Sequence, residues 1–255
     1  MAHLELALEG KTALVTGAGR GLGYEVALGF ARQGCKVAAL SRTRPQVEEL
    51  AEEIRSAGGE ALPLRADASE SGQVREAVSR VLARFGTIDI LVNNAGVNVR
   101  KPCVEYTDED WQYVIGVNLT GYFLFAREVG KIMTANRRGK LINVGSELGL
   151  VGDVIGQVAY ASSKGGVIQL TRCLAAEWAP YGVTVNCIAP TLMDTSLVAE
   201  LFEDRAGIEA FIKRVPLGRL PKPKEVADII LFLSSHYADA ITGHVLLVDG
   251  GYTIV

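Results

Sequence analysis

Tyr160 and Lys164 stand four residues apart in a stretch of helical spacing, which places a phenol and an ammonium on one helix face. A free tyrosine, with a pKa of about 10, is almost wholly protonated at neutral pH, and a nearby ammonium favours the phenolate. Bringing that pKa toward the working pH makes a usable acid and base, as interconversion of a ketone and an alcohol requires. Ser146, at the end of an apolar run, suits a hydrogen bond to an oxygen on which charge develops. The other chemical feature is Thr16-Gly17-Ala18-Gly19-Arg20-Gly21-Leu22-Gly23, set between a strand-like run and a helix-like one. Missing side chains there let the backbone turn tightly and approach a pyrophosphate, whose charge meets amide N–H groups and the positive end of a helix. Each feature alone has an ordinary explanation as a surface pair, a strand end or a turn.

The elements that must position these residues are legible as short apolar runs alternating with amphipathic ones. Strand-like runs are Thr12 to Thr16, Lys36 to Ser41, Glu60 to Leu64, Ile88 to Asn93, Lys140 to Gly145, Thr184 to Ala189 and His244 to Asp249. Helix-period stretches are Gly21 to Gln33, Gln46 to Ala57, Glu70 to Arg84, Asp108 to Asn136, Val158 to Ala179 and Lys224 to Ser235. Such alternation predicts a doubly wound α/β fold, with a parallel sheet covered on both faces. No repeat or linker divides residues 1–255, so the chain reads as a single domain. The least regular part, 190–215, lies where ligands bind in open α/β sheets and is expected to serve as a substrate lid.

At 255 residues, 49% hydrophobic and 22% charged, the chain buries a large core and cannot be disordered. A net charge of −3, with scattered Lys and Arg, makes nucleic acid or an anionic membrane an unsuitable partner, and no segment has the length for a membrane span. Cys35, Cys103, Cys173 and Cys187 are widely separated and read as buried free thiols of a reducing compartment. Met1 to Gly10 lacks a signal-peptide pattern, so the cytoplasm is expected. His3, His236 and His244 form no ligand pair, and no metal is expected. Trp111, Trp178, Tyr122, Phe123 and Phe125 read as helix packing or an interface.

The glycine spacing is T-G-x-x-x-G-x-G, carried by Gly17, Gly21 and Gly23. Asn93-Asn94-Ala95-Gly96 follows the fourth strand, Asn118 lies in the next helix, Ser146 ends the fifth strand, and Tyr160 and Lys164 form Y-x-x-x-K. In order and spacing these motifs resemble the short-chain dehydrogenase/reductase family, over nearly the whole chain from about Leu8 to Tyr252. The resemblance implies a Rossmann-like fold with a seven-stranded sheet, a homotetramer, and an NAD(P)-dependent oxidoreductase acting on a small-molecule alcohol or ketone. It implies that Ser146, Tyr160 and Lys164 are catalytic, that Lys164 also holds the nicotinamide ribose, and that Asn118 holds a water relaying protons to Lys164. Gly17, Gly19, Arg20, Gly21, Leu22 and Gly23 would bind the pyrophosphate, Asp67 and Ala68 the adenine, and Asn94, Ala95 and Gly96 the ribose. Ile188 to Thr195, including Pro190, Thr191 and Thr195, would meet the nicotinamide end.

Between NAD and NADP, the residues after the second strand decide. No Asp or Glu occurs from Lys36 to Val47, whereas Ser41-Arg42-Thr43-Arg44 offers arginines, so Arg42, helped by Arg20 or Arg44, is expected to favour NADP. Substrate contacts are expected after the N-N-A-G motif (Asn98, Arg100, Lys101), after Ser146 (Glu147, Leu148, Val151, Asp153), and after Pro190 (Thr191, Leu192, Met193, Leu197, Val198, Leu201, Phe202). Thr191 stands where the family commonly has Gly, so the loop path is expected to differ. Asn98-Val99-Arg100-Lys101-Pro102 with Pro190-Thr191 is similar to family members acting on sugar acids and polyols, of the gluconate 5-dehydrogenase kind. The alternatives are a 3-oxoacyl-carrier-protein reductase, with Arg137, Arg138 and Lys140 as a docking patch, and a non-catalytic dinucleotide sensor. Retention of Asn118, Ser146, Tyr160 and Lys164 argues against the sensor.

Overall fold

A computed structural model describes residues 5–152, 156–193 and 205–255. Strands β1 (Thr12–Thr16), β2 (Lys36–Ser41), β3 (Glu60–Arg65), β4 (Ile90–Asn93), β5 (Gly139–Val144), β6 (Val183–Pro190) and β7 (Val245–Val248) form one parallel sheet in the order β3-β2-β1-β4-β5-β6-β7. Parallel neighbours need crossovers, and helices supply them. These are α1 (Gly21–Arg32), α2 (Arg44–Ser56), α3 (Ser71–Phe85), α4 (Asp108–Ile115), α5 (Gly121–Asn136), α6 (Val158–Trp178), α7 (Arg205–Ile212) and α8 (Pro223–Ser234).

Strand side chains alternate between the two faces, and the core divides accordingly. Ala13, Val15, Val37, Ala39, Ile90, Val92 and Ile142 pack against α1, α2 and α8. Leu14, Ala38, Leu40, Leu91, Leu141 and Val185 pack against α3, α5 and α6. Both faces being apolar is why these strands read as continuous hydrophobic runs.

The helix expected over Asp108 to Asn136 is not uniform. Thr107 and Asp110 close a capping box at its start, but between α4 and α5 the residues Gly116–Thr120 form a π turn. Gly121 follows, packed so closely on Ala68 that a Cβ there would lie 2.9 Å from the Ala68 carbonyl oxygen. The wider turn lets the helix keep this approach and re-aims Asn118. Of the expected lid, residues 194–204 lie outside the described residues, as do Asp153, Thr195, Leu197, Val198, Leu201 and Phe202 among the expected site residues. Beyond them, Phe211 of α7 stacks on Tyr252 at 4.9 Å between ring centroids, and Leu217 N–H donates to the Gly250 carbonyl, so this part docks on the C-terminal turn.

Strand order reverses between β1 and β4, and the loops leaving the carboxyl ends of these strands diverge to open a crevice. Phe30 on α1 is fully buried beneath that layer. Phe30→Ala is expected to lower unfolding stability by about 3–5 kcal/mol, read as a fall in the urea midpoint at unchanged slope.

Candidate active site

The glycine loop leaves β1 with Gly17 at φ +66°, a left-handed conformation that favours glycine. A Cβ on Gly17 would lie 2.8 Å from the Ala95 Cα, and one on Gly23 would strike the Gly17 carbonyl, so helix, loop and the Asn94-Ala95 turn interlock only without side chains. The N-terminus of α1 has no side-chain cap and no acidic residue in its first turn, which leaves amide N–H groups for an anion. Leu22 is buried beneath it and Arg20 is exposed beside it. A dinucleotide pyrophosphate therefore fits this cradle.

Thr16 joins the two strand ends that flank the crevice. Its hydroxyl donates to the Val92 carbonyl at 3.3 Å and accepts from Asn94 N–H at 2.9 Å and Ala95 N–H at 3.1 Å. The Asn94 side-chain amide donates to the Thr16 and Gly17 carbonyls, at 2.9 and 3.1 Å. Those donors hold the glycine loop, a task the motif alone does not reveal.

At the adenosine end, Ser41 is buried and bonded to the backbone of Thr43. The Arg42 guanidinium donates to the Tyr113 hydroxyl at 3.0 Å and lies 3.9 Å from Asp67, whose other oxygen accepts from Ser69. Arg44 instead pairs with Glu48 along α2, so of the two arginines on this strand end Arg42 alone is turned toward Asp67.

Ser146, Tyr160 and Lys164 come together where β5 ends and α6 begins. Ser146 is extended and caps a short turn, its Oγ accepting from Leu148 N–H at 3.2 Å. Tyr160 hydrogen-bonds Ser146. Lys164 is 3% exposed and lies with its Nζ 5.5 Å from the Tyr160 ring centroid, but it donates to the Val144 carbonyl at 2.6 Å. Burial brings the Lys164 ammonium down to about 8, because the charged form loses its water.

Tyr160 departs from the expected behaviour. Burial, followed by the negative charge of Glu147, pushes its pKa up to about 12, while its bond to Ser146 and the positive charge of Arg100 pull the other way. The phenol is thus held as a proton donor. The lysine that was expected to lower it has its proton directed at Val144 instead.

Asn118 is fully buried in the π turn. Its Oδ1 accepts from Val97 N–H at 2.8 Å, and its Nδ2 donates to the Val97 carbonyl and to Ser163 Oγ at 2.9 and 3.2 Å. Its side chain thereby fixes the loop beyond Gly96 to α6. Ser163 relays the restraint by donating to the Tyr160 carbonyl at 2.6 Å. Ser163 and Tyr122 are site residues the sequence reading missed. Tyr122, read as packing, donates to the Val144 carbonyl at 3.2 Å and accepts from Lys164 Nζ at 3.4 Å.

The expected substrate residues separate into groups. Arg100 acts electrostatically on Tyr160, and its Nε is buried without a hydrogen-bond partner. Lys101 forms an ion pair with Asp110 of α4, and Asn98 donates to Gln157, so both fasten their loop. Glu147, expected to face substrate, is 4% exposed and turned toward Ser146 and Thr191. Leu148 and Leu192 are half-buried, while Met193 packs against the α1 side of the core. Pro190 and Thr191 close β6, and Thr191 has no left-handed backbone, so it needs no glycine conformation. Cys35 and Cys187 are buried, but Cys103 and Cys173 are exposed, on a loop turn and the outer side of α6. Among the described residues no cluster of His, Cys, Asp or Glu suits a metal, and no helix is long and apolar enough to cross a membrane.

Comparison with known proteins bears on these features together. A family model described as Enoyl-(Acyl carrier protein) reductase matches residues 17–253. The chain is 39% identical over 247 residues to the 3-oxoacyl-(acyl-carrier-protein) reductase FabG of Thermotoga maritima, covering 97% of this chain and 99% of the relative. It is equally 39% identical over 249 residues to the 2-dehydro-3-deoxy-D-gluconate 5-dehydrogenase of Pseudoalteromonas atlantica, covering 97% and 98%. A gluconate 5-dehydrogenase from Burkholderia cenocepacia, solved with NADP and tartrate, superposes with a TM-score of 0.93 at 37% identity over 98% of each chain. With the cradle, the Ser-Tyr-Lys centre and a full-length match, this chain belongs to the short-chain dehydrogenase/reductase family and is an NAD(P)-dependent oxidoreductase.

Proposed function

We propose that this enzyme interconverts a secondary alcohol and a ketone on a small sugar acid or polyol, with NADP as the preferred cofactor. The observation that carries the reading is the hydrogen-bonded Ser146 and Tyr160 pair, with buried Lys164 beneath it and the Arg100 guanidinium acting on the phenol. The Arg100 guanidinium, a positive charge felt at Tyr160, suits an anionic or hydroxyl-rich substrate better than an acyl chain. The relatives named for gluconate chemistry point the same way.

The residues that would hold the cofactor are Gly17, Gly19, Arg20, Gly21, Leu22 and Gly23 at the pyrophosphate, Ser41, Arg42, Asp67 and Ala68 at the adenosine, and Asn94, Ala95 and Gly96 along the ribose. Pro190 and Thr191 would meet the nicotinamide end, where the family resemblance also expects Thr195. Bound there, the nicotinamide supplies or accepts the hydride. In reduction Tyr160 starts as the neutral phenol and gives its proton to the carbonyl oxygen as charge builds there, while Ser146 orients that oxygen. Lys164, with a pKa near 8, exchanges protons at neutral pH and restores the phenol's proton. In oxidation the same groups run in reverse. Asn118 keeps the loop and α6 in register through its bonds to Val97 and Ser163.

A 3-oxoacyl-carrier-protein reductase remains the second reading, favoured by the FabG relative. Its expected docking patch is less suitable. Lys140 is paired with Asp239 at 2.6 Å and Arg138 with Asp89 at 3.4 Å, both at the amino end of the sheet, opposite the catalytic centre. A homotetramer suits the exposed Trp111 and Phe123 on α4 and α5, and free thiols suit the cytoplasm.

Three outcomes test the reading. Tyr160→Phe should retain NADP(H) binding by fluorescence titration and lose kcat by about a hundredfold or more, as removal of a general acid does. Arg42→Asp should cut the NADP to NAD ratio of kcat/KM by roughly tenfold to a hundredfold, the worth of one charge-assisted bond. A panel of sugar acids, polyols and 3-oxoacyl thioesters should give activity on the first two classes, and turnover of thioesters alone would reject them.

A further inference from the structure

Behind the catalytic serine lies a carboxylate that the reaction outlined above does not use. Glu147 is 4% exposed, as are Ser146 and Thr191. Ser146 Oγ donates to Glu147 Oε2 at 2.5 Å. The other carboxylate oxygen accepts from Thr191 Oγ1 at 3.0 Å, across from the end of β6. Both oxygens are thus held by hydroxyls from different elements, and both hydroxyls are withheld from solvent. The arrangement is particular to this chain's residues, since a glycine at 191 would have no hydroxyl to give.

A serine has one proton and two lone pairs. With its proton committed to Glu147, and Leu148 N–H already on one lone pair, Ser146 meets the site as an acceptor. It then suits the hydroxyl of an alcohol, and cannot donate to a ketone. Resting on the assignment of Ser146 and Tyr160 as catalytic, we propose that Glu147 is a positioning residue that sets the direction of the Ser146 hydrogen bond. As a carboxylate it accepts the serine's hydrogen bond. As a carboxylic acid it donates to Ser146 Oγ, and the serine proton turns to the substrate carbonyl.

The groups around Glu147 make both states accessible. Ser146 and Leu148 adjoin it on its own turn, Thr191 faces it from β6, Tyr160 feels its charge from α6, and Arg100 acts on Tyr160 from the loop after β4. Burial raises the Glu147 pKa above the ordinary carboxylate range, and the hydroxyls of Ser146 and Thr191 oppose that rise. Ketone reduction is favoured below that pKa and declines as pH rises through it.

The test is the pH profile of kcat/KM for reduction by NADPH of 5-keto-D-gluconate, or of whichever ketone in the panel turns over fastest. The wild-type enzyme is expected to show a declining limb from Glu147, distinct from those of Lys164 and Tyr160 in that only it responds to Thr191→Val. Thr191→Val, nearly the same shape without the hydroxyl, should move the limb to higher pH, because one bond that stabilises the carboxylate is gone. Glu147→Gln, which cannot ionise, should abolish the limb while NADPH affinity stays at the wild-type value. A Glu147→Gln enzyme with the wild-type limb, or a Thr191→Val enzyme whose limb does not move, overturns the proposal. Turnover persisting in Tyr160→Phe would instead remove the catalytic assignment beneath it.

Discussion

One hydroxyl, that of Thr16, carries the geometry of the crevice. It is the point where β1 and β4 stop running side by side, and it is used completely, donating to Val92 and accepting from both Asn94 and Ala95. The Asn94 amide then clasps the loop that Thr16 begins. If these strand ends separated, the glycine turn and the N-N-A-G turn would drift apart, although neither is otherwise unusual. A short buried side chain serves here because a longer one would hold the two backbones too far apart, and an apolar one would leave two partly buried N–H groups without that partner.

The catalytic centre depends on that joint through a polar layer within the sheet. Asn93 donates to Asn143 Oδ1 at 3.0 Å, and Asn143 donates to Thr171 of α6 at 2.9 Å, which connects β4 through β5 to the helix bearing Tyr160 and Lys164. Asn118 and Ser163 make a second connection from the loop after β4 to the same helix. Buried polar groups held this way restrict side chains to one arrangement, which reacting groups require. Lys164 itself is a buried charge, hydrogen-bonded among the described residues to the Val144 carbonyl and the Tyr122 hydroxyl. Its lowered pKa follows directly from that sparse solvation.

The fold was readable because its strands are apolar on both faces and its helices on one. β1 and β2 begin and end where the apolar runs do, and the other boundaries differ by a residue or two. Departures occur where a tertiary contact overrides local pattern. The π turn at Gly116–Thr120 keeps the helical period on either side, so its residues look like continuous helix. Glu147 and Lys101 are assigned to the substrate by their places after Ser146 and after the N-N-A-G motif. Which way each turns was decided by Thr191 and Asp110, residues far away in sequence or on another element. Tyr122 was passed over because an aromatic in an apolar helix face reads as packing, and its hydroxyl finds Lys164 only once α5 and α6 are adjacent.

The last turn of the chain does more than finish the sheet. Asp249 accepts from Gly251 N–H and from the backbone and hydroxyl of Thr253, which curls the chain so that Tyr252 presents its ring to Phe211 and to the Arg214 guanidinium, 4.7 Å from the ring centroid. This turn is therefore the anchorage of α7. Loss of the Tyr252 ring would take from Phe211 its stacking partner and from Arg214 its cation–π contact, so the packing of α7 is set by the last turn of the sheet rather than by its neighbours in sequence.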